Sequence, residues 1–522
     1  MWKRRVQCLL LSVVTVSGTV VALRMLLGPL DAPARVRTPL NPAGWFGVAL
    51  AAFLATSAVP PREHWRGRQP RWQTVALIAP LTALTVIAFR RALFLYFLSD
   101  NFILVTLARI VALRQWFTTA GGDGFFRPIG YLSLALTSRW AGVNPVAWHA
   151  TAVALHAANV VLVFLLSTRL PLSRLASAFA AALFAIHGTR PEAVVWIAGR
   201  FDLAATLFLL GGLLFFARSC PAASLICMAL AILGKESAYI FPLLLLLFLV
   251  AKGDLSRRWI GALTPFFAAA AALFAYRWWL CGGIGGYRAT QTGEPQALTV
   301  GPATVKALGL RMWTALFFPI NWSTEPHVWL TALLLGYIGA LAWFVRSHPD
   351  RTLIAWALGF AAVSAFPALP LLAIGADLSN SRVLYLPSVG FCWLLAAAID
   401  GLSGRFRWAI AAVIFAFHFA ALGHNLDAWE YASRKAKSAC VAPAEGITPP
   451  GSLLGVPFFA NGFPECIELQ RNTGATRNGQ RRPAPRPGDR PVSEPGREQP
   501  PAHPPGTMFD GFWRFSGVNW HR

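Results

Sequence analysis

Apolar stretches of near-membrane length recur along most of the chain and dominate its hydrophobic pattern. A helix needs about 20 mostly apolar residues to cross a bilayer. The windows that meet or approach this requirement are 6–27, 43–59, 74–98, 147–167, 174–188, 201–217, 222–234, 238–251, 259–280, 327–345, 352–375, 383–402 and 406–423. The stretch 302–320 is interrupted by Lys306, Arg311 and Pro319, and it predicts an interfacial or re-entrant helix. The pattern predicts an all-α polytopic membrane protein with about 13 transmembrane helices.

Composition and charge support a membrane protein and argue against a soluble one. The 522 residues are 56% hydrophobic and 13% charged, whereas soluble domains carry about 25% charged residues. A net charge of +24 would usually indicate a nucleic-acid partner. Here the basic residues occupy short loops between apolar segments and the C-terminal tail, which favours topology control. We therefore expect membrane lipids, and no nucleic acid, as partners.

The basic residues also predict an orientation and a division of the chain. A cluster at Lys3, Arg4 and Arg5 places the N-terminus in the cytoplasm, and alternating sides from there puts basic residues in every inner loop and the C-terminus outside. The Ala-, Arg-, Gly- and Pro-rich composition favours a bacterial inner membrane. The predicted parts are two additional N-terminal helices (1–73), a catalytic core (74–424), a small extracytoplasmic appendage (425–470) and a disordered Pro/Arg-rich tail (471–522).

Ionisable residues collect on the predicted outer side of the core. The acidic ones include Asp100, Glu192, Asp202 and Glu236, and the basic ones are Arg127, Arg200, Lys235 and Arg382. Acidic residues contribute little to topology, so an outward-facing polar site is the simplest cause of their gathering. Four cations on one face predict an anionic ligand, such as a phosphate or pyrophosphate, because guanidinium groups bind these in bidentate geometry.

The segment around Asp100 has two interpretations. Asp100 and Asn101 follow the third apolar window, and an amphipathic segment continues to about Trp116. A carboxylate at the outer membrane surface can act as a general base, since partial desolvation and nearby charges tune its pKa. Alternatively, Asp100 caps the amphipathic helix that follows. This segment alone favours the cap.

The segment 186–202 is dense in ionisable residues, which is costly at a membrane boundary unless they serve a site. If the segment is helical, Glu192, Trp196 and Arg200 lie on one face. The residues support equally a functional site and a turn that is closed by a salt bridge between Glu192 and Arg200.

Two other features leave alternatives open. Arg90 and Arg91 lie within the third apolar window, so either this span ends before them or they face a polar groove. His149, His156 and Asn159 share a helix face; a metal site is one interpretation, and hydrogen bonds between helices are the better one.

An ordered set of short segments resembles a known family. These segments are Phe97–Phe102, Phe126–Ile129, Trp148–Asn159, His187–Asp202, Gly234–Ser237, Phe318–Asn321 and Ser381–Phe391. They resemble the GT-C class of membrane glycosyltransferases, and most of all the transmembrane O-mannosyltransferases that carry TPR repeats, together with their bacterial relatives. The resemblance covers roughly residues 95–400 and follows the family's order.

The resemblance implies a GT-C-like bundle with an amphipathic helix in its first catalytic outer loop. It also implies transfer of a sugar from a polyprenyl-phosphate donor to an extracytoplasmic protein or glycan, with Asp100 as the base. The donor phosphate would be bound by the cations Arg127, Arg200, Lys235 and Arg382. The supporting residues would be Glu192, Asp202, Glu236, His187 and Tyr385. A requirement for a divalent metal stays open, as do the sugar and the acceptor.

The chain also departs from the family pattern. Asn101 stands where the family often has a second acid, two spans rather than one precede Asp100, and no TPR repeat follows the last span. Two other functions stay open: a transporter or flippase of a lipid-linked sugar, which would explain the same cations and membrane architecture, and a catalytically inactive GT-C scaffold, which Asn101 and the unusual tail favour.

Overall fold

The computed structural model describes residues 71–441, except for 99, 122–123, 255, 287–310, 321–334, 337–338, 340–349, 372–373, 376 and 403–405. Within these residues the secondary structure is helical and contains no strand. The α-helices are α1 (Arg71–Ala88), α2 (Asn101–Ile110), α3 (Leu113–Thr118), α4 (Pro128–Ala141), α5 (Pro145–Ser167), α6 (Arg174–Ile186), α7 (Arg190–Val194), α8 (Arg200–Ala217), α9 (Pro221–Gly234), α10 (Phe241–Lys252), α11 (Arg257–Cys281), α12 (Met312–Phe317), α13 (Arg351–Ala365), α14 (Pro387–Gly401) and α15 (Phe406–Val441). Short 3-10 helices occupy Ala92–Phe94, Ile197–Gly199, Glu236–Ile240, Phe366–Leu371 and Ser381–Leu384.

Four helical stretches of the described chain are long and apolar enough to cross a membrane. They are Pro145–Ser167, Ile197–Ala217, Arg351–Ala368 and Arg407–Lys437. The prediction of an all-α protein with membrane-spanning helices is confirmed at this level. The number of about 13 spans stays a prediction; the windows 6–27 and 43–59 and nearly all of 327–345 lie outside the described residues.

The bundle is built around α5, α6, α8 and α14. The closest helix pairs are α8 with α9 and α13 with α14, and α5 packs against α1, α6 and α8. Local signals explain the ends of these helices. Asn144 caps α5 by accepting a hydrogen bond from the Val146 amide at 3.1 Å, and Ser173 caps α6 through the Ala176 amide. Both caps satisfy an amide that would otherwise lack a partner at a helix start.

The segment between α1 and α5 forms a small layer of its own, made of α2, α3 and α4. Phe102 and Val105 of α2, Trp116 of α3 and Tyr131 of α4 pack with Trp148 of α5 in one apolar cluster. The amphipathic segment predicted after Asp100 is thus two helices rather than one. No separate helix was predicted at α4, because its polar residues interrupt the apolar run.

The last helix corrects two predicted boundaries. The predicted span 406–423 is part of α15, which continues without a break to Val441. The boundary at 424 therefore falls inside a helix, and the first part of the predicted appendage 425–470 is helical. Residues 442–470 and the predicted tail 471–522 lie outside the described residues.

Candidate active site

The turn between α6 and α8 carries the most buried carboxylate of the site. Glu192 is 2% exposed and accepts hydrogen bonds from the backbone amides of Asn380, at 3.1 Å, and Arg382, at 2.8 Å. The Arg382 guanidinium lies 3.3 Å from the same carboxylate. Burial raises the pKa of Glu192, and the Arg382 charge and the two amides oppose this change. Glu192 therefore orients both the backbone and the side chain of Arg382.

Arg382 also stacks on an aromatic ring from the same turn. Its guanidinium carbon lies 4.2 Å from the centroid of Trp196, within the range of a cation–π interaction. The segment from Glu192 to Arg200 is not one helix, because α7 ends at Val194 and α8 begins at Arg200. A Cβ at Gly199 would lie 2.3 Å from the Ala193 carbonyl oxygen, so this close turn requires glycine. The predicted single helical face of Glu192, Trp196 and Arg200 is therefore wrong.

A second ion pair joins α4 to the segment that follows α9. Arg127 donates two hydrogen bonds to Glu236, at 2.8 and 2.5 Å, in the bidentate geometry typical of guanidinium and carboxylate. The Arg127 guanidinium also lies 3.9 Å from the centroid of the Phe125 ring. Burial would raise the pKa of Glu236, but the charges of Arg127, Arg277 and Lys235 outweigh burial and lower it.

The third pair lies next to the second along the chain. Lys235 places its Nζ 2.6 Å from both carboxylate oxygens of Asp202, which lies in the first turn of α8. Burial lowers the pKa of Lys235, and the Asp202 carboxylate opposes this change, while the charges of Arg127 and Arg382 add to the lowering. The three ion pairs are thus near enough to act on one another, and they form one cluster near the N-terminal end of α8.

Asp100 is connected to this cluster through its neighbour. Asn101 is buried, and its Oδ1 accepts a hydrogen bond from the Ile197 amide at 3.0 Å. Ile197 follows Trp196, the residue on which Arg382 stacks. Asp100 occupies the position before α2, but its side chain makes no capping hydrogen bond to that helix. Asp100 thus adjoins a residue that contacts the turn of Trp196, and its side chain lacks the capping role that the local sequence favoured.

Arg200, predicted as a phosphate ligand, is turned into the bundle. It is fully buried, and its guanidinium donates to the Thr137 hydroxyl at 2.9 Å and to the Trp148 carbonyl at 2.6 Å. It forms no salt bridge with Glu192, which pairs with Arg382 instead. These contacts give Arg200 a packing role, and Arg200 is not a member of the cluster.

Two predicted supporting residues are buried inside the bundle. His187 is buried between Thr189 and the Leu316 carbonyl, with ring nitrogens 2.9 and 3.0 Å from these oxygens. Tyr385 is buried as well, and its hydroxyl lies 2.6 Å from His156 and 3.2 Å from Asn159. The hydrogen bonds of His156 and Asn159 to Tyr385 favour the interpretation that these residues join helices rather than bind a metal. No set of three His, Cys, Asp or Glu side chains that could hold a metal occurs among the described residues.

Sequence reasoning missed Arg277. This residue of α11 is 5% exposed, and its guanidinium lies 3.8 Å from the Glu236 carboxylate oxygen that also accepts from the Arg127 Nε. The signal was present, because Arg277 is a lone charge inside an apolar window, and such a charge usually serves a site or a partner.

The sequence comparisons find similarity to known proteins over part of the chain. No protein-family model matches the chain. It is 38% identical over 101 residues to protein O-mannosyl-transferase Tmtc1 of Drosophila melanogaster, which is 19% of this chain and 12% of that protein. It is 29% identical over 133 residues to TMTC3 of Mus musculus (25% of this chain, 13% of that protein). It is 36% identical over 103 residues to TMTC2 of Homo sapiens (20% of this chain, 12% of that protein).

These matches limit what can be transferred from the relatives. The aligned part spans about an eighth of the length of each, at 12–13%. All three are named protein O-mannosyl-transferases. The resemblance that the ordered segments predicted is confirmed: the chain is similar to the protein O-mannosyl-transferases over part of its length.

Proposed function

We propose that this protein is a membrane glycosyltransferase that transfers a sugar from a polyprenyl-phosphate donor to an acceptor hydroxyl on the non-cytoplasmic face of a membrane. The observation that carries the proposal is the connection of Asp100, through Asn101 and Ile197, to a cluster of three paired cations. A base beside a cationic cluster is the arrangement that displacement of a phosphate leaving group needs. The similarity to protein O-mannosyl-transferases supports a sugar donor and a protein acceptor.

In the proposed reaction, Asp100 removes the proton of the acceptor hydroxyl. The acceptor oxygen forms a bond to the anomeric carbon, and the bond between that carbon and the phosphate oxygen breaks. The polyprenyl phosphate leaves with the electron pair, and the configuration at the anomeric carbon inverts. The negative charge that develops on the phosphate is stabilised by the cations of the cluster, Arg127, Lys235 and Arg382.

The carboxylates of the cluster have a separate function in this proposal. Glu192, Asp202 and Glu236 each hold a cation in place before the donor arrives. Oriented charges of this kind need little reorganisation when the phosphate becomes negative. Because each carboxylate is engaged by a cation, the set fits an anion better than a resident metal. Activity in the presence of EDTA tests the metal requirement directly.

The experiment that tests the function uses the purified full chain in detergent and a panel of polyprenyl-phosphate sugars. We expect the wild-type protein to consume one donor, and Asp100→Asn to lower this rate roughly 10²- to 10⁴-fold, the usual contribution of a general base. Asp254→Asn is the matched control, since Asp254 lies at the far end of α10 from the cluster. Equal rates for wild type and Asp100→Asn would refute the base. Binding of a donor without consumption would favour a transporter, a flippase or an inactive scaffold.

A further inference from the structure

The end of α15 packs against the segment that leads to Asp100. Arg91 donates from Nη2 to Asp427 at 2.6 Å, and both its Nε, at 3.1 Å, and its Nη2 donate to the same carboxylate oxygen of Glu430. A membrane span needs about 20 residues, and the candidate span in α15 has 31. This end of α15 is therefore the surplus beyond a span, which agrees with its charged character. The helix α1 ends at Ala88, so Arg91 lies beyond the helix of the third apolar window.

Two further contacts fix the same segment to α15. The Tyr96 amide donates to the Ser433 hydroxyl at 2.7 Å. Leu98 is buried in a small apolar cluster with Ala432 and Ala436. The segment from Leu95 to Leu98 has no regular secondary structure, so these contacts with α15 hold the residues that lead into Asp100.

The same helix also contacts the turn that carries Glu192. Asn425 donates to the Gly188 carbonyl at 2.8 Å and to the Pro319 carbonyl at 2.5 Å. Gly188 lies at the start of that turn, and a Cβ there would lie 2.6 Å from the Pro319 carbonyl oxygen. A single helix thus contacts both the segment before Asp100 and the turn that positions Arg382.

We infer that the end of α15 is a brace that positions the base relative to the donor cluster, with Arg91, Asp427, Glu430 and Ser433 as positioning residues. The inference rests on the proposed function, because it assigns these residues to the geometry of that reaction. Displacement of a reacting group by about 1 Å can lower a rate 100-fold. The brace residues pair with one another and with the Tyr96 amide rather than with Arg127, Lys235 or Arg382 in the contacts described above, so loss of the brace should lower kcat and leave the KM for the donor unchanged.

The test is a charge swap between the segment and the helix. We expect Arg91→Glu to lower kcat roughly 10- to 100-fold, with the donor KM unchanged. Adding Glu430→Arg restores the pair with reversed charges and should recover most of the rate. Arg91→Lys should retain part of it. Lys437→Glu, a charge reversal at an exposed position of α15, is the matched control and should behave as wild type.

Hydrogen exchange at the Tyr96 amide gives a readout that does not require activity. We expect Arg91→Glu and Ser433→Ala to accelerate this exchange and the swap to slow it again. The brace is refuted if neither variant changes the exchange, or if Arg91→Glu retains full kcat while Asp100→Asn loses it. If exchange responds as expected but no donor is consumed by any protein, the contact stands, and its catalytic role is refuted with the proposed function.

Discussion

Two pairs of arginines in this bundle meet opposite surroundings. Arg127 and Arg382 belong to the cluster near the start of α8, and each is paired with a carboxylate. Arg190 and Arg200 are fully buried, and neither has a carboxylate partner among the described residues. Arg190 donates to the Phe184 carbonyl at 2.8 Å and to the Ser388 hydroxyl at 2.5 Å. Arg190 and Arg200 are thus bound by neutral oxygens, whereas Arg127 and Arg382 are bound by charged ones.

The type of partner therefore distinguishes an arginine that packs in the bundle from one that could bind an anion, which the residue type alone does not. A buried guanidinium with neutral partners pays for desolvation, and burial lowers the pKa of Arg190 to about 10. No phosphate can reach such a group without opening the bundle. Arg127 and Arg382 remain partly accessible, at 13% and 16% of their side-chain surface, and their carboxylates orient them. Orientation before binding is what an anion site requires.

The largest effect on this comparison should come from Arg382→Met. The substitution leaves Glu192 buried without its cation, and breaking a buried pair in this way costs about 3–5 kcal/mol. We expect a corresponding loss of thermal stability in detergent. Adding Glu192→Gln removes the unpaired charge, so the double variant should regain much of the stability but not the affinity for the donor.

The control for Arg382→Met is Arg218→Met, at an exposed position after α8, which should change stability by less than about 0.5 kcal/mol. If Arg382→Met and its control were equally stable, the Glu192 pair would not be the buried contact that the geometry indicates. If the double variant regained donor affinity as well, Arg382 would not be a ligand.

A smaller effect, of the opposite kind, should follow from Arg200→Met. The variant loses the hydrogen bonds to Thr137 and Trp148, which should cost about 1–3 kcal/mol of stability. The donor KM should stay unchanged, because the guanidinium faces the bundle. Thr137→Val, which removes one of the two partners, is the matched control and should cost less. A tenfold rise in KM at wild-type stability would restore Arg200 as a phosphate ligand.

The sequence predicted the helices well where their signals are local. The window 147–167 became α5, Pro145–Ser167, because a proline and a capping asparagine mark its start and an uninterrupted apolar run fills it. The sequence also predicted four charged residues of the cluster, as charges at the predicted outer ends of apolar segments: Arg127, Glu236, Lys235 and Asp202. The structure brings them together as two ion pairs.

What the sequence could not predict depends on contacts between distant segments. The direction of Arg200 depends on α4 and α5 rather than on spacing from Glu192, so a helical periodicity argument failed there. The extension of α15 was missed because its last turns are charged. These turns contact the segment before Asp100 through residues that are 336 to 339 positions apart in the sequence. Apolar windows register neither kind of contact.

The smallest predicted effect is a difference in the pH dependence of stability between Glu192 and Glu236. These two glutamates pair with Arg382 and Arg127. The ordinary pKa of a glutamate is 4.5; the pKa of Glu192 is raised by burial, whereas that of Glu236 is lowered by its cations despite burial. Each unit of difference from the unfolded pKa is worth about 1.4 kcal/mol. A group with a raised pKa stabilises the fold below its unfolded value and loses this contribution as pH rises through its folded value.

The two glutamates should therefore give pH profiles of opposite sign. Relative to Glu192→Gln, the wild-type protein should lose thermal stability as pH rises from 4.5 through the raised pKa of Glu192. Relative to Glu236→Gln, it should gain stability as pH rises through the lowered pKa of Glu236 and reach a plateau near 4.5. Thermal unfolding of the three proteins in detergent, across this range, measures both differences. Profiles of the same sign would mean that the two carboxylates share one environment, and the Arg382 pair would then be as open to solvent as the Arg127 pair. Opposite signs would show that acidification releases Arg382 first and leaves Arg127 held.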